Sequence, residues 1–206
     1  MKIGIIGAGG LGKEVYWILR DCIKTGYDYE IVGFYDDNKL PGEFVVNDSK
    51  VINSTYMIND DIFLVNAIAE GSSRISIVER IGSERFITII HPLAHVFDAD
   101  SIGIGSIICA QSIVSVNAIL GNFSIVDWNV SIGHDAKIAS YCTFFPGCKI
   151  SGNAVIEEMC TFGTGSIVLP SMKIGKGVYI GAGSVVTKNV ENQKVMVGIP
   201  ARELIH

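Results

Sequence analysis

The sequence is short of several things that would assign it quickly. It has five cysteines, an odd count without paired spacing, so it carries no disulfide framework. A reduced, cytoplasmic setting is the default expectation. It contains no run of eighteen apolar residues, which argues against a membrane span. The opening Met1-Lys2-Ile3-Gly4-Ile5-Ile6 lacks a signal-peptide cleavage pattern and reads as a buried first strand. Positive charge is not in excess: the formal net charge of −5 speaks against broad nucleic-acid binding. Histidine is scarce, with four residues, His91, His95, His134 and His206. The 49% hydrophobic fraction and 23 glycines do suit a packed, turn-rich globular chain of one or two domains.

What is present is a period of six. From Val96 to Val186, every sixth residue is large and apolar, sixteen times without a slip. A helix repeats every 3.6 residues and a strand every two, so neither accounts for this run. Four residues after each apolar position the residue is usually small: Ser106, Ser112, Ala118, Ser124, Ala136, Cys142, Cys148, Ala154, Cys160, Ser166 and Ser184. Cysteine on that track behaves as a small hydrophobe. The repeat resembles the left-handed parallel β-helix of the hexapeptide acyltransferases. That fold implies three hexads per triangular coil, roughly five coils, and a spacing of about 4.8 Å between coils. The second and third residues after each apolar position would form the corners.

The first ninety residues read differently. A strand over residues 2–6 is followed by Gly7-Ala8-Gly9-Gly10-Leu11-Gly12 and then by helical spacing from Lys13 to Arg20. Strand, glycine turn and helix together give a GxGxxG match meaning, because backbone and helix N-terminus can then meet a phosphate. A second strand, Glu30 to Tyr35, ends in Asp36-Asp37, acids placed to accept from ribose hydroxyls or a base edge. A third strand is expected over 62–68, including Asn66, then a helix over 72–81 and a short strand over 87–90. His91-Pro92 marks the boundary. The expected organisation is an α/β half-Rossmann-like domain over 1–90 and a β-helix with C-terminal tail over 91–206. The first is too short for a full dinucleotide fold and suits a nucleotide-sugar better.

This order of parts resembles the bacterial sugar O- and N-acyltransferases, including sialic acid O-acetyltransferases and UDP- or GDP-4-amino-sugar N-acetyltransferases. The residues that carry it are Gly7 to Lys13, Asp36-Asp37, His91-Pro92, the hexads, Gly133-His134-Asp135 and Val197-Gly198-Ile199-Pro200-Ala201-Arg202. The resemblance implies an acetyl-coenzyme A-dependent acetyltransferase without a metal, with a nucleotide-sugar or sialic acid as acceptor. Its base would be His134, a corner residue with an unperturbed pKa suited to proton transfer, supported by Asp135. Gly152, one coil on, would leave room beside the imidazole. The implied cofactor contacts are Thr143, Gly152, Thr164 and Ala182, with Lys188 near the phosphates. The implied acceptor contacts are Gly9, Gly10, Leu11, Gly12, Lys13, Asp36, Asp37 and Asn66. Two positions depart from the family: Thr143 and Leu11 stand where many members have histidine.

The family works as a homotrimer, and exposed corner residues Phe123 and Trp128 are expected to be covered by it. A zinc carbonic anhydrase on the same solenoid would need several histidines on neighbouring coils, and only His134 qualifies. A non-catalytic nucleotide-sugar-binding regulator or scaffold with an inert solenoid is the other reading. An oxidoreductase is disfavoured, since a solenoid offers no domain for hydride transfer. A UDP-4-amino-sugar is the first expectation for the acceptor.

Overall fold

A computed structural model describes residues 1–205. The chain divides into two compact units, the first running from Met1 to Pro92 and the second beginning at Leu93.

In the first unit, β1 (Lys2–Ile6), β2 (Glu30–Tyr35), β3 (Phe44–Val46), β4 (Ser49–Asn53) and β5 (Phe63–Asn66) form one sheet in the order β3-β4-β2-β1-β5. Strands β1, β2, β4 and β5 pair in parallel, and β3 closes on β4 as an antiparallel hairpin. That hairpin was not expected from the sequence. Its turn is set by Asn47, which adopts φ 50°, a left-handed conformation that asparagine tolerates better than most residues. The core is aliphatic, with Ile3, Ile5, Ile6, Leu64 and Val65 all buried.

Helix α1 (Gly10–Lys24) follows β1, and α2 (Gly71–Ile81) follows β5. Helix α1 buries Val15, Ile18, Leu19 and Cys22 at helical spacing. It sits hard on the glycine turn: a Cβ on Gly12 would lie 1.9 Å from the Gly7 carbonyl oxygen. The expected strand over 87–90 is reduced to Ile89–Ile90.

The second unit is the β-helix. Its two-residue strands pair in parallel with those eighteen residues on; Ile132 faces Ile150, Ile150 faces Val168, and Val168 faces Val186. Fourteen of the sixteen apolar positions are buried, and only the first two, Val96 and Ile102, are half-exposed. The small track is buried as well. Cys148 and Cys160 donate their thiols to carbonyls of the next coil, at 3.2 Å to Gly163 and 3.1 Å to Gly175. All five cysteines are buried.

The corners have a uniform cause. The third residue after each apolar position, from Gly105 to Gly183, has positive φ without exception. Glycine, asparagine and aspartate fill most of those fourteen places, as the left-handed region favours. Each chain reversal is therefore made by the same backbone torsion. At the C-terminal end, Val195–Val197 adds to the sheet beside Tyr179–Ile180, and Arg202–Glu203 folds back on it antiparallel.

One expectation about the surface fails. Phe123 is not an exposed apolar corner: it is 2% exposed. Its ring lies over Gly105, where a Cβ would come within 2.2 Å, and stacks on Tyr141 with centroids 5.3 Å apart. Trp128 is half-buried. Glycine one coil below made room for an aromatic that the hexad pattern alone placed outside. Among the described residues, no helix is long and apolar enough to cross a membrane.

Candidate active site

The solenoid ladder decides which side chains share an edge. The residues two beyond Ile132, Ile150, Val168 and Val186 are His134, Gly152, Pro170 and Lys188, so these four follow one another along one edge. Three coil spacings of about 4.8 Å put Lys188 roughly 14 Å along the edge from His134.

His134 is held at its own turn. Its Nδ1 lies 2.8 Å from Asp135 Oδ2. Adjacent residues seldom face each other, but Asp135 has φ 58°, and that torsion turns its carboxylate back to the imidazole. The other oxygen, Oδ1, accepts from Asn117 Nδ2 at 3.1 Å. The His134 imidazole and then the Asn117 amide hold the Asp135 carboxyl below its ordinary value. A carboxylate bound at Nδ1 favours the tautomer with hydrogen there, which leaves Nε2 as the acceptor. A Cβ on Gly152 would lie 2.5 Å from Nε2 and 2.6 Å from Cε1, so the ring occupies the space that glycine leaves. The His134 side chain is still 58% exposed. The result is a fixed, accessible, proton-accepting nitrogen with an ionised partner behind it.

The expected cofactor residues divide between places. Thr164 and Ala182 are exposed and stack one coil apart, but on a different edge from His134. The face bearing Ser131, Lys149, Ile167 and Val185 separates the two edges. Thr143 is 1% exposed and so offers no surface to a cofactor. Lys188 and Arg202 both line a cleft of about 220 Å³ at the C-terminal end of the solenoid. Arg202 had been noted only as part of the tail motif.

In the first unit the glycine turn is open. Gly9 and Gly10 have nothing within 4 Å of an added Cβ. Helix α1 has no side-chain cap and no acid in its first turn. Its free N–H groups and positive dipole end therefore face outward, the arrangement that receives a phosphate. Lys13 is exposed beside it and Leu11 is half-buried. Helix α2 is different: the Glu70 carboxylate occupies its N-terminus, accepting from Ser72 and Ser73 N–H at 3.0 and 2.7 Å. Burial pushes the Glu70 carboxyl up, but the hydrogen bonds from Ser73 and Ser72 outweigh it and bring it down to about 2. Of the two α-helices among the described residues, α1 is the one whose N-terminus no side chain caps.

The acids after β2 are already engaged. Asp36 Oδ2 accepts from the Ala8 amide at 2.8 Å and so ties the glycine turn to β2. Asp37 binds both the amide and the hydroxyl of Thr55. Each keeps lone pairs for a ligand but is first a structural tie. Both line a cavity of about 400 Å³ at the carboxyl ends of β1 and β2, whose far side is formed by Tyr56 and, from α2, Arg80. Thr55, Tyr56 and Arg80 belong to no spaced motif, and sequence reasoning missed them. Asn66 is 1% exposed, on the sheet face it shares with Ile6 and Tyr35 through strand pairing. Its Nδ2 and Oδ1 find no hydrogen-bond partner among the described residues.

A hexad solenoid with an exposed, carboxylate-backed imidazole on one edge defines an acyltransferase of the hexapeptide class, here joined to a glycine-turn α/β unit. Comparison with known proteins narrows this. Residues 2–81 match the family model described as the PglD N-terminal domain, and residues 153–188 match the bacterial transferase hexapeptide model. A GDP-perosamine N-acetyltransferase of Escherichia coli O157:H7 is 36% identical over 161 residues, spanning 74% of this chain and 71% of that protein. A UDP-N-acetylbacillosamine N-acetyltransferase of Bacillus subtilis is 30% identical over 115 residues, 53% of this chain and 51% of that one. The acetyltransferase domain of PglB from Neisseria gonorrhoeae, solved with acetyl coenzyme A, superimposes with a TM-score of 0.88 at 30% identity, covering 98% of both chains. The chain belongs to this family of bacterial sugar acyltransferases.

Proposed function

We propose that the protein transfers the acetyl group of acetyl-coenzyme A to the amino group of a sugar carried on a nucleoside diphosphate, with His134 as general base. The observation that carries this reading is the fixed imidazole: Nδ1 on Asp135 at 2.8 Å, and Nε2 free above Gly152. The sugar nitrogen attacks the thioester carbonyl, and Nε2 takes the proton it sheds. The carbonyl–sulfur bond then breaks, and the thiolate leaves and is protonated. Asp135 stabilises the imidazolium formed in between. Both named relatives act on amino sugars, which favours nitrogen over oxygen as the acceptor atom.

In this reading the unit over residues 1–90 takes the nucleotide diphosphate at Gly9, Gly10, Leu11, Gly12 and Lys13. Asp36 and Asp37 line the cavity proposed for the nucleoside, whereas Asn66, 1% exposed, is not among its lining residues. The unit over residues 91–206 carries out the transfer. The donor's phosphates belong near Lys188 and its pantetheine arm along the solenoid edges. Since Thr164 and Ala182 are on a different edge from His134, one chain does not gather the full set. Packing three solenoids side by side would bring the His134 edge of one against the Thr164 edge of the next, so a homotrimer is the assembly proposed. The cellular role proposed is cytoplasmic preparation of sugars for bacterial surface glycans or glycoproteins.

The test is thiol release from acetyl-coenzyme A with a panel of GDP- and UDP-linked 4-amino-sugars and sialic acid, with products identified by mass spectrometry. Turnover with an amino sugar that disappears in His134→Ala supports the proposal. Nucleotide-sugar binding without turnover of any acceptor would favour the non-catalytic regulator instead.

A further inference from the structure

The chain of contacts at the His134 turn continues past Asp135 to a neighbouring coil. The strand ladder stacks the third residue after Val114, Ile132, Ile150 and Val168, so one corner column reads Asn117, Asp135, Asn153 and Ser171. All four have positive φ, between 57° and 63°. A single carboxylate therefore stands between an amide on the coil before it and an amide on the coil after. The two amides are not equivalent. Asn117 donates Nδ2 to Asp135 Oδ1 at 3.1 Å. Asn153 meets this turn through its backbone, its N–H donating to the His134 carbonyl at 2.9 Å. Among the described residues, the Asn153 side chain makes no hydrogen bond to Asp135.

The left-handed torsion alone accounts for an asparagine at this corner, as it does at Asn129 and Asn153. It does not account for the side-chain bond. The terminal torsion of a carboxylate is soft, so one contact leaves its plane free to turn. Here both oxygens are held, Oδ2 at 2.8 Å from the imidazole and Oδ1 at 3.1 Å from the Asn117 amide. Two bonds at opposite ends fix the plane, and the position of hydrogen on the imidazole follows from the bond that the plane directs at Nδ1. The Asp135 side chain is 46% exposed, so water could satisfy Oδ1 as well. Water comes from any direction, whereas the amide comes from one place, set by the coil beneath.

The kind of donor matters too. An amide is neutral, so it orients the carboxylate without cancelling its charge. A lysine at the same corner could hold Oδ1 as firmly, but it would offset the negative charge that a protonated imidazole needs behind it. We infer that Asn117 is a positioning residue for His134, acting through Asp135: it holds the carboxylate so that hydrogen stays on Nδ1 and Nε2 stays bare. This rests on the proposed role of His134 and adds to it the residue, one coil away, that sets the tautomer of the ring.

Asn117→Gly removes the amide and keeps a residue at ease with the left-handed torsion. Asn153→Gly, on the other side of Asp135, is its control. Nitrogen-15 NMR of the neutral histidine rings reads which ring nitrogen carries hydrogen, the His134 signals being identified by their loss in His134→Ala. Wild type carries it on Nδ1. Asn117→Gly shifts the population toward hydrogen on Nε2, the form the free ring prefers, and Asn153→Gly does not. With an amino-sugar acceptor, Asn117→Gly lowers kcat by roughly 2- to 10-fold, the worth of one hydrogen bond, with both KM values and the thermal midpoint unchanged. Asn117→Asp fits the same torsion but sets a second carboxylate against the first, and lowers kcat at least as far. A folded Asn117→Gly protein with wild-type tautomer and kcat overturns the inference, and so does a wild-type ring with hydrogen on Nε2. An equal loss in Asn153→Gly overturns it as well, as does a raised KM at unchanged kcat, which makes Asn117 a substrate contact instead. The NMR result needs no acceptor. Wild-type protein that acetylates no sugar therefore removes the functional reading, while the tautomer still decides the role of Asn117.

Discussion

Gly152→Ala tests the proposed role of His134 by moving its imidazole without removing it. The added methyl carbon would lie 2.5 Å from His134 Nε2, where ordinary contact begins at 3.4 Å. Something must give by about 0.9 Å. The backbone at Gly152 needs no positive φ, so alanine fits the turn itself. The atoms in the way belong to the far end of an exposed side chain, so the ring swings out rather than the coil shifting. It cannot swing without stretching the 2.8 Å contact from Nδ1 to Asp135. A displacement near 1 Å of a reacting group costs about 10²-fold in rate, so kcat should fall by about that much. The thermal midpoint should change little. The assay is thiol release under saturating acetyl-coenzyme A and acceptor, beside a melting curve of the same preparation. A folded Gly152→Ala protein turning over at the wild-type rate would refute the reasoning, since the imidazole would then act from any position or not at all.

Removing the proposed base outright should cost more: His134→Ala should lower kcat by roughly 10²- to 10⁴-fold, with acetyl-coenzyme A binding retained by calorimetry. Asp135→Asn should cost less, because asparagine accepts the same left-handed turn and removes only the charge behind the ring. Gly10→Val should raise acceptor KM with an unchanged melting temperature, since the space beside Gly10 is empty of protein. Gly12→Ala, whose methyl would meet the Gly7 carbonyl at 1.9 Å, should destabilise the fold by about 1–3 kcal/mol or more in denaturant titration. Glu70 has its folded pKa depressed to about 2 from 4.5, so its contribution is complete above pH 4.5 and is lost as pH falls toward 2. Glu70→Ala should therefore lower stability at neutral pH by about 1 kcal/mol, the worth of a helix cap. That gap to wild type should close through the same acid range; a constant gap would show that the carboxylate charge is not what caps α2. Sedimentation should give three chains per particle, and a lone 22.2 kDa species at micromolar concentration would sink the trimer.

The solenoid was readable because each hexad repeats one physical demand: an apolar residue inside, a small one four later, and a left-handed turn between. Sixteen repetitions make that demand visible without alignment. The glycine turn was readable for a similar reason, since Gly12 and Gly7 answer to steric limits that leave few alternatives. What stayed hidden depends on torsions or on distant partners. The contact between His134 and Asp135 exists because φ at residue 135 is positive, and nothing in two adjacent letters states that. Phe123 was misjudged because the glycine that shelters it is eighteen residues away, at Gly105. Thr143 belongs to a strand whose outward side is closed to solvent, which a period of six does not reveal. The hairpin of β3 and β4 had a signal in Asn47-Asp48 between apolar runs, but strands of three and five residues are too short for periodicity to register. Arg80 meets Thr55 across twenty-five residues with no shared pattern.

The uniform left-handed corner makes this molecule tolerant of change only in fixed increments. Because an edge recurs every eighteen residues, inserting or deleting one whole coil beyond Gly152 would leave His134 and Lys188 on the same edge and alter only their separation, by about 4.8 Å. Inserting six residues would instead move every later corner one edge around the triangle. Lys188 would leave the edge of His134, although every hexad would still be satisfied and the solenoid would still fold. Stability is thus blind to a slip that would part His134 from Lys188, and the distance between these two residues can be lengthened or shortened along their edge only by whole coils.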